Sequence, residues 1–436
     1  MDKKLKKILL LSTGDTFGAY EWIYRMAKLL KNSDYEVAML VKDKHKTDEF
    51  VIKVPIESKT KSYYQRFINL TKRKLKIKQV EFSPDPKYVF LQGEDENVSI
   101  VNAETILSHT PFTPHIVVAG MTDSFLGTTT LSDISEKTGA RIFQAMVDMS
   151  LLTGGCHVVW DCKGFETDCK NCPAILNDEY KNFPNTNFKI KLMNIRKSDI
   201  QIITGSGWTT EQAKKSALYR NQKNIYNINS CIDTQIFNTK HRGYAKKIFN
   251  INETAKLIFI GTGNLKNKQK GLDYFVEALK ILWDKADQKF KDKIYLLIAG
   301  NNNVENELTA QIPFKKKLID YINDYRLLSL AYQAADVFVC SSLEDGGPMM
   351  VSEALACGTP VVGFKMGLLY NLVQNNFNGY VAEMKNSNDL AFGINKIISL
   401  NESEFNKYSK NAVDTIEKYS SQNIIISTFN QIISEL

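Results

Sequence analysis

No stretch of this chain approaches the roughly 20 uninterrupted apolar residues that a membrane-spanning helix needs, so no such helix is expected. Short internal repeats and low-complexity tracts are also missing, and a solenoid or a disordered array is not expected. Prolines number only 10 and histidines 5 in 436 residues. A secretory leader is not expected either. The lysines at the N-terminus precede an apolar run, but Ile8 to Leu11 is too short for a leader core. Gly14 and Asp15 end that run without a small-residue cleavage site, so a first β-strand and a cytoplasmic protein are expected. What is present is the composition of a soluble globular protein, 43% hydrophobic and 24% charged. At this length two domains are the natural expectation. The net charge of +8, from 56 basic and 48 acidic side chains, suits nucleic acid, anionic lipid or phosphorylated small molecules and selects none of them.

Apolar runs alternate with helix-period segments almost throughout, which predicts βα units around parallel sheets. In the first half the candidate strands are Lys7–Thr13, Glu36–Lys42, His115–Thr122, Arg141–Asp148, Asp199–Gly205 and Asn224–Asn229. In the second half they are Lys256–Thr262, Lys293–Ala299, Asp336–Ser341 and Thr359–Phe364. Helices are predicted between them, among them Ala19–Leu30, Leu131–Thr138, Thr209–Ser216, Gly271–Trp283 and Met350–Ala356. The polar stretch Asp233–Asn252 lacks periodicity, which places the boundary between domains 1–235 and 236–436 near residue 235. The last apolar helix, Ser421–Leu436, is expected to pack back on the first domain.

The most informative window runs from Ser341 to Phe364. A strand ends, a Gly346-Gly347-Pro348 turn follows, and a helix starts near Met349 with proline where a missing N–H costs nothing. The N–H groups of Met349 and Met350, with the helix's positive end, suit an anionic or hydroxyl-rich ligand. Asp345 and Glu353 stand eight residues apart, and a carboxylate accepts from two vicinal hydroxyls at once. The bland alternative is a strand–turn–helix with two surface carboxylates. In the second window, Gly261-Thr262-Gly263 ends a strand and is followed by Lys266, Lys268, Lys270 and Gly271. A lysine beside a departing diphosphate lowers the barrier to its departure; the bland alternative is a solvated lysine loop.

Together these residues resemble the C-terminal signature of family-4 retaining glycosyltransferases of the GT-B fold: an acid, seven residues, then Glu followed by Ala-x-Ala-x-Gly-x-Pro-Val-Val. This chain reads Asp345, seven residues, Glu353, then Ala354-Leu355-Ala356-Cys357-Gly358-Thr359-Pro360-Val361-Val362. The resemblance implies an α/β fold of two Rossmann-like domains with parallel sheets facing across a cleft. The first domain would take the acceptor and the second a nucleotide-sugar donor. It further implies that Asp345 holds the transferred sugar, with Gly347, Met349 and Met350 in the same turn, and that Glu353 holds the ribose. Lys270 would steady the leaving diphosphate. Members of the family carry an arginine where this chain has Leu265, and Lys266 or Lys268 is expected to substitute. In the first domain Gly18 would let the backbone approach the donor phosphates. Family members also carry His-Asp where this chain reads Val147-Asp148. Asp148 is retained as a pocket residue, and His157 is expected to be tied to the nearby cysteines.

Cys156, Cys162, Cys169 and Cys172 lie within the insertion 152–173 with spacing C-x5-C-x6-C-x2-C. Four thiolates at this density suit a structural zinc; unliganded thiols or a pair of disulfides are the alternative. The remaining cysteines, Cys231, Cys340 and Cys357, stand alone and are expected to be buried packing. Residues 63–78 interleave apolar positions with Lys72, Arg73, Lys74, Lys76 and Lys78. As a helix this segment suits an anionic membrane surface, or else packs on the first domain as a solvated helix.

The expected activity is sugar transfer from a UDP- or GDP-sugar to a glycan or lipid-linked acceptor in cell-surface polysaccharide synthesis, with no cofactor for catalysis. A non-catalytic nucleotide-sugar scaffold is the alternative. A zinc-containing nucleic-acid binder is disfavoured, because the acid pair would repel phosphates and no aromatic–basic platform is present.

Overall fold

The computed structural model describes residues 5–16, 18–56, 84–90, 96, 100–301 and 305–435. The basic segment 63–78 lies outside the described residues. Two compact units emerge: Met1–Ile203 with Glu211–Tyr226, and Thr204–Thr210 with Asn227–Leu436. Among the described residues no helix is long and apolar enough to cross a membrane.

The first unit is built on β1 (Lys6–Gly14), β2 (Tyr35–Asp43), β3 (Val51–Lys53), β4 (Ile116–Ala119), β5 (Arg141–Met146), β6 (Gln201–Thr204) and β7 (Tyr226–Asn227). Their order in the sheet is β3-β2-β1-β4-β5-β6-β7. Ile8, Leu9, Leu10 and Leu11 are all fully buried. That continuous apolar run, rather than an alternating one, is what a central strand covered on both faces requires. β1 pairs in parallel with β2 on one side, Leu10 opposite Met39, and with β4 on the other, Leu10 opposite Val118. The chain first builds outward from β1 through β2 and β3, then returns to β4. Between β1 and β4 lies the switch point where ligands of such sheets bind.

The second unit repeats the plan with β8 (Lys256–Thr262), β9 (Ile294–Gly300), β10 (Lys315–Asp320), β11 (Val337–Cys340), β12 (Val361–Phe364) and β13 (Gly379–Ala382). The order is β10-β9-β8-β11-β12-β13, and β8 pairs in parallel with β11 through Ile258 opposite Val337 and Phe259 opposite Phe338. Leu257 and Phe259 pack into one core layer with Tyr332 and Phe338. Ile258 and Ile260 pack into the other with Leu279 and Val339. Because β8 and β11 are neighbours at the switch point, the turns that leave their carboxyl ends emerge side by side. Those turns carry Lys270 and Asp345.

Three strands were not anticipated from the sequence, β3, β10 and β13, and each is a sheet edge. Edge strands are short or charged, as in the Lys315-Lys316-Lys317 start of β10, and carry no long apolar run. The last helix, Gln422–Ser434, falls within the second unit.

Candidate active site

In the second unit the two switch-point turns are bonded to each other. Ser341 Oγ donates to the Lys270 carbonyl at 2.7 Å, and Leu343 N–H donates to the Gln269 carbonyl at 2.6 Å. Gly271 makes this approach feasible. Its φ is +59°, and a Cβ there would stand 2.2 Å from the Ser341 carbonyl oxygen. The lysine before it is thereby aimed at the acid of the neighbouring turn. Lys270 Nζ donates to Asp345 Oδ2 at 2.6 Å. Burial alone would pull this ammonium down, but the Asp345 charge and its hydrogen bond hold it above the ordinary lysine value.

The Asp345 turn is fixed from three sides. Asp345 N–H donates to Met366 Sδ at 3.0 Å, and Gly347 N–H donates to Asp345 Oδ1 at 3.3 Å. Ser206 Oγ donates to the Gly346 carbonyl at 2.5 Å. Pro348 then sits at the cap of the helix Met349–Ala356, as expected from its fixed φ. The helix stops at Cys357, and Gly358 follows with φ +67°; Thr359 N–H returns to the Ala354 carbonyl at 3.0 Å. A cavity of about 370 Å3 opens beside Lys270, lined among others by Gly261, Thr262, Ser341, Pro348 and Met350.

Glu353 lies in the second turn of that helix and is only 3% exposed. Its Oε2 accepts from the Tyr332 hydroxyl at 3.1 Å. Burial first, and the Glu353 charge second, push the Tyr332 hydroxyl well above its ordinary value, so tyrosine is the permanent donor of this pair. Tyr332 is a site neighbour that sequence reasoning missed: it precedes Glu353 by 21 residues on another helix, with no local motif to mark it. Leu265 is 3% exposed and packs against Gly300, whereas Lys266 and Lys268 are both exposed and no ion pair joins either to Asp345. Lys270 is the member of the lysine loop that the structure brings to the acid.

In the first unit Gly18 begins the helix Gly18–Lys31 at φ +49°, a conformation that favours glycine. Asp148 Oδ2 contacts His157 Nδ1 at 2.6 Å, and Asp148 Oδ1 accepts from the Ser150 N–H at 2.8 Å. Burial would raise the Asp148 carboxyl, but the His157 charge and these bonds hold it below the ordinary carboxylate range. His157 is thus committed to Asp148 and not to the cysteines, which corrects the expectation from sequence. Proximity along the chain suggested the cysteine cluster; the carboxylate of the folded sheet end competes better for a buried imidazole.

All seven cysteines are free thiols. The Cys156 thiol bonds to Cys172, which holds the Cys172 sulfur below its ordinary value, while burial lifts Cys169 to about 12. Among the described residues no group of three or more His, Cys, Asp or Glu side chains is placed to hold a metal ion.

Residues 244–414 match the family model of glycosyl transferases group 1. An uncharacterised glycosyltransferase of Methanocaldococcus jannaschii is 30% identical over 169 residues, 37% of this chain and 41% of that protein. The N,N'-diacetylbacillosaminyl-diphospho-undecaprenol alpha-1,3-N-acetylgalactosaminyltransferase of Campylobacter jejuni is 28% identical over 161 residues, 37% of this chain and 40% of that protein. The chain therefore matches about two fifths of the length of these curated relatives. Anabaena HepE, in its crystal structure with UDP and glucose, is similar in fold at a TM-score of 0.61 and 13% identity, covering 99% of this chain and 100% of that one. This likeness shows the fold, two Rossmann-like parallel-sheet domains of the GT-B kind.

Proposed function

We propose that this chain is a retaining glycosyltransferase that moves a sugar from a nucleotide-sugar to a glycan or lipid-linked acceptor in cell-surface polysaccharide synthesis. The observation that carries the reading is the Lys270–Asp345 pair, 2.6 Å apart at the switch point of the domain that matches the family model. A donor entering beside the pair offers each member a better partner. Its diphosphate takes the Lys270 ammonium, and a hydroxyl of its sugar donates to the released Asp345 carboxylate. As the anomeric carbon–oxygen bond to phosphate breaks, about one unit of negative charge develops on the leaving oxygen, and Lys270 stabilises it. The acceptor oxygen bonds to that carbon on the face being vacated, and its proton passes to the departing phosphate oxygen. The N–H groups of Met349 and Met350 are assigned to the same charge, and Glu353, held by Tyr332, to the ribose.

The HepE complex supports uridine as the first donor nucleotide to test. The name of the Campylobacter relative supports an acceptor linked to diphospho-undecaprenol, which the basic segment 63–78 would meet at the membrane surface. The donor test is a thermal-shift screen of the full chain against UDP-, GDP- and ADP-sugars. At a ligand concentration 100 times its dissociation constant, stabilisation is about 2.7 kcal/mol. One donor is expected to give such a shift, and a flat result with all three classes would refute the reading.

A structural zinc on Cys156, Cys162, Cys169 and Cys172 belongs to the same proposal. It is supported by backbone N–H groups that already point at three of the sulfurs, among them Gly164 N–H to Cys162 at 3.4 Å. Since no three ligands are pre-placed, the loop would have to close on the ion, coupling metal binding to local folding. Elemental analysis of the purified chain is expected to find one zinc per chain; less than half an equivalent rejects it.

A further inference from the structure

The two helices that carry Tyr332 and Glu353 are tied together at their C-terminal ends by one arginine. Arg242 opens the short helix Arg242–Ile248 and stands 93 to 117 residues ahead of the groups it meets. Its Nη1 donates to the Cys357 carbonyl at 2.9 Å and to Thr359 Oγ1 at 2.8 Å. Its Nη2 donates to the Ala335 carbonyl at 2.9 Å. The Phe405 ring covers the guanidinium, with 4.9 Å between their centres.

Ala335 caps the helix Tyr325–Ala334, and Cys357 caps the helix Met349–Ala356. The last carbonyls of a helix have no partner within it and form the negative end of its dipole. One cation here serves two such ends at once. From these ends the bonds run on to the donor-side pair. Thr359 Oγ1, which accepts from Arg242, donates to the Tyr332 carbonyl at 2.6 Å. Cys357 N–H donates to the Glu353 carbonyl at 3.1 Å. Arg242 is thus joined to the backbone of both members of the Tyr332–Glu353 pair, through a single residue in each case. The preceding residue adds a further link: His241 N–H donates to Gln333 Oε1 at 2.7 Å, beside Tyr332.

Every hydrogen-bond acceptor of this guanidinium is neutral. A cation partly withdrawn from water gains less from carbonyls than from a carboxylate, so stability alone accounts poorly for an arginine here. What the planar fork supplies is direction, because donor nitrogens of fixed separation set how the two helix ends stand to each other.

We infer that Arg242 is a positioning residue for the donor nucleotide: by holding the two helix ends in register it sets the reach of Glu353 toward the ribose. The inference rests on the glycosyltransferase reading and its assignment of Glu353, and it adds a residue that lies before the matched residues 244–414.

The test is isothermal titration calorimetry of the full chain with UDP and GDP, each against its 2′-deoxy counterpart. The ratio of the two affinities reads the ribose contact and is blind to a general loss of folded protein. Wild type is expected to bind one ribonucleotide roughly tenfold or more tightly than its deoxy form, as the loss of a hydrogen bond to a carboxylate requires. Arg242→Lys keeps the charge without the fork, and Thr359→Val removes the hydroxyl between Arg242 and Tyr332. Each should bring the ratio down to about threefold or less, as should Glu353→Gln, with affinity for the deoxy form held within about twofold. Lys246→Met, on the same helix, loses a 2.8 Å ion pair to Asp336 and is the stability control: its melting midpoint falls and its ratio stays. Should Arg242→Lys melt too low to assay, Thr359→Val carries the test. A wild-type ratio in the assayed variant, or both nucleotides weakened alike, would assign Arg242 to the fold alone and leave the donor reading standing. A ratio that survives in Glu353→Gln, or a wild type that binds both forms equally, removes the ribose assignment and the inference with it. A wild type that binds no nucleotide removes the donor reading itself.

Discussion

Under the proposed reaction Lys270→Ala is expected to lower the turnover number by about 10² to 10³, the loss of about 2.7–4 kcal/mol of transition-state stabilisation that one preorganised donor supplies. The size follows from where the charge appears. In the proposed reaction the lysine would meet little extra charge while the donor is merely bound and about one unit more as the diphosphate departs, so the loss is expected chiefly on kcat rather than KM. Lys270→Arg keeps the charge but presents a planar fork where a point donor now reaches Asp345 at 2.6 Å, and is expected to recover only part of the rate. Removing the ammonium also leaves Asp345 without its cation. Asp345→Asn in the Lys270→Ala background therefore separates the two roles: if they act as one unit, the double variant is scarcely slower than the worse single one. Steady-state kinetics on the four proteins, with melting curves as the fold control, checks this.

Gly271→Ala attacks the same lysine through the backbone, and its effect is expected on stability as well as rate. The residue is left-handed, at φ +59° and ψ +35°, and caps the helix Leu272–Lys285. Alanine in that region costs about 1–2 kcal/mol. The new Cβ also has no room, at 2.2 Å from the Ser341 carbonyl oxygen and 3.2 Å from Leu343 Cγ. Backbone cannot yield as a side-chain tip can, so the two turns must part, and the total cost is on the order of 3 kcal/mol. For a unit of this size that lowers the melting midpoint by roughly 6–12 °C. Activity falls with it, because the turn aims Lys270. Gly243→Ala is the control: it lies in the helix Arg242–Ile248 with nothing within 4 Å of the added carbon. Alanine there should be neutral or stabilising by about 0.5–1 kcal/mol.

Much of this arrangement is legible in the residues themselves, for definite reasons. Central strands such as β1 and β8 announce themselves because both faces are buried and the apolar run is continuous. The edges β3, β10 and β13 do not, because solvent and pairing partners, rather than sequence pattern, decide them. Pro348 and Gly358 mark the ends of the Met349–Ala356 helix through fixed and left-handed backbone angles, both properties of single residues. The Lys270–Asp345 pair was readable only as two neighbouring expectations. What joins them, the bonds from Ser341 and Leu343 to the lysine turn, spans about 70 residues and leaves no local mark. The same holds for Tyr332 on Glu353 and for His157 on Asp148. For Glu353 sequence identified one partner and tertiary packing chose the other; for Asp148 it named both residues but tied His157 to the cysteines.

The central claim is that Lys270 and Asp345 serve the departure of a nucleoside diphosphate from a sugar, and product formation tests it most directly. The full chain would be given each nucleotide-sugar together with methyl glycosides and a polyprenyl-diphosphate-linked sugar, and the products read by mass spectrometry and anomeric NMR. The account predicts one nucleoside diphosphate released per sugar transferred, the donor's anomeric configuration kept in the product, and neither event above background in Lys270→Ala. Transfer that proceeds undiminished without that lysine, or a donor that binds and is never consumed with any acceptor, contradicts it.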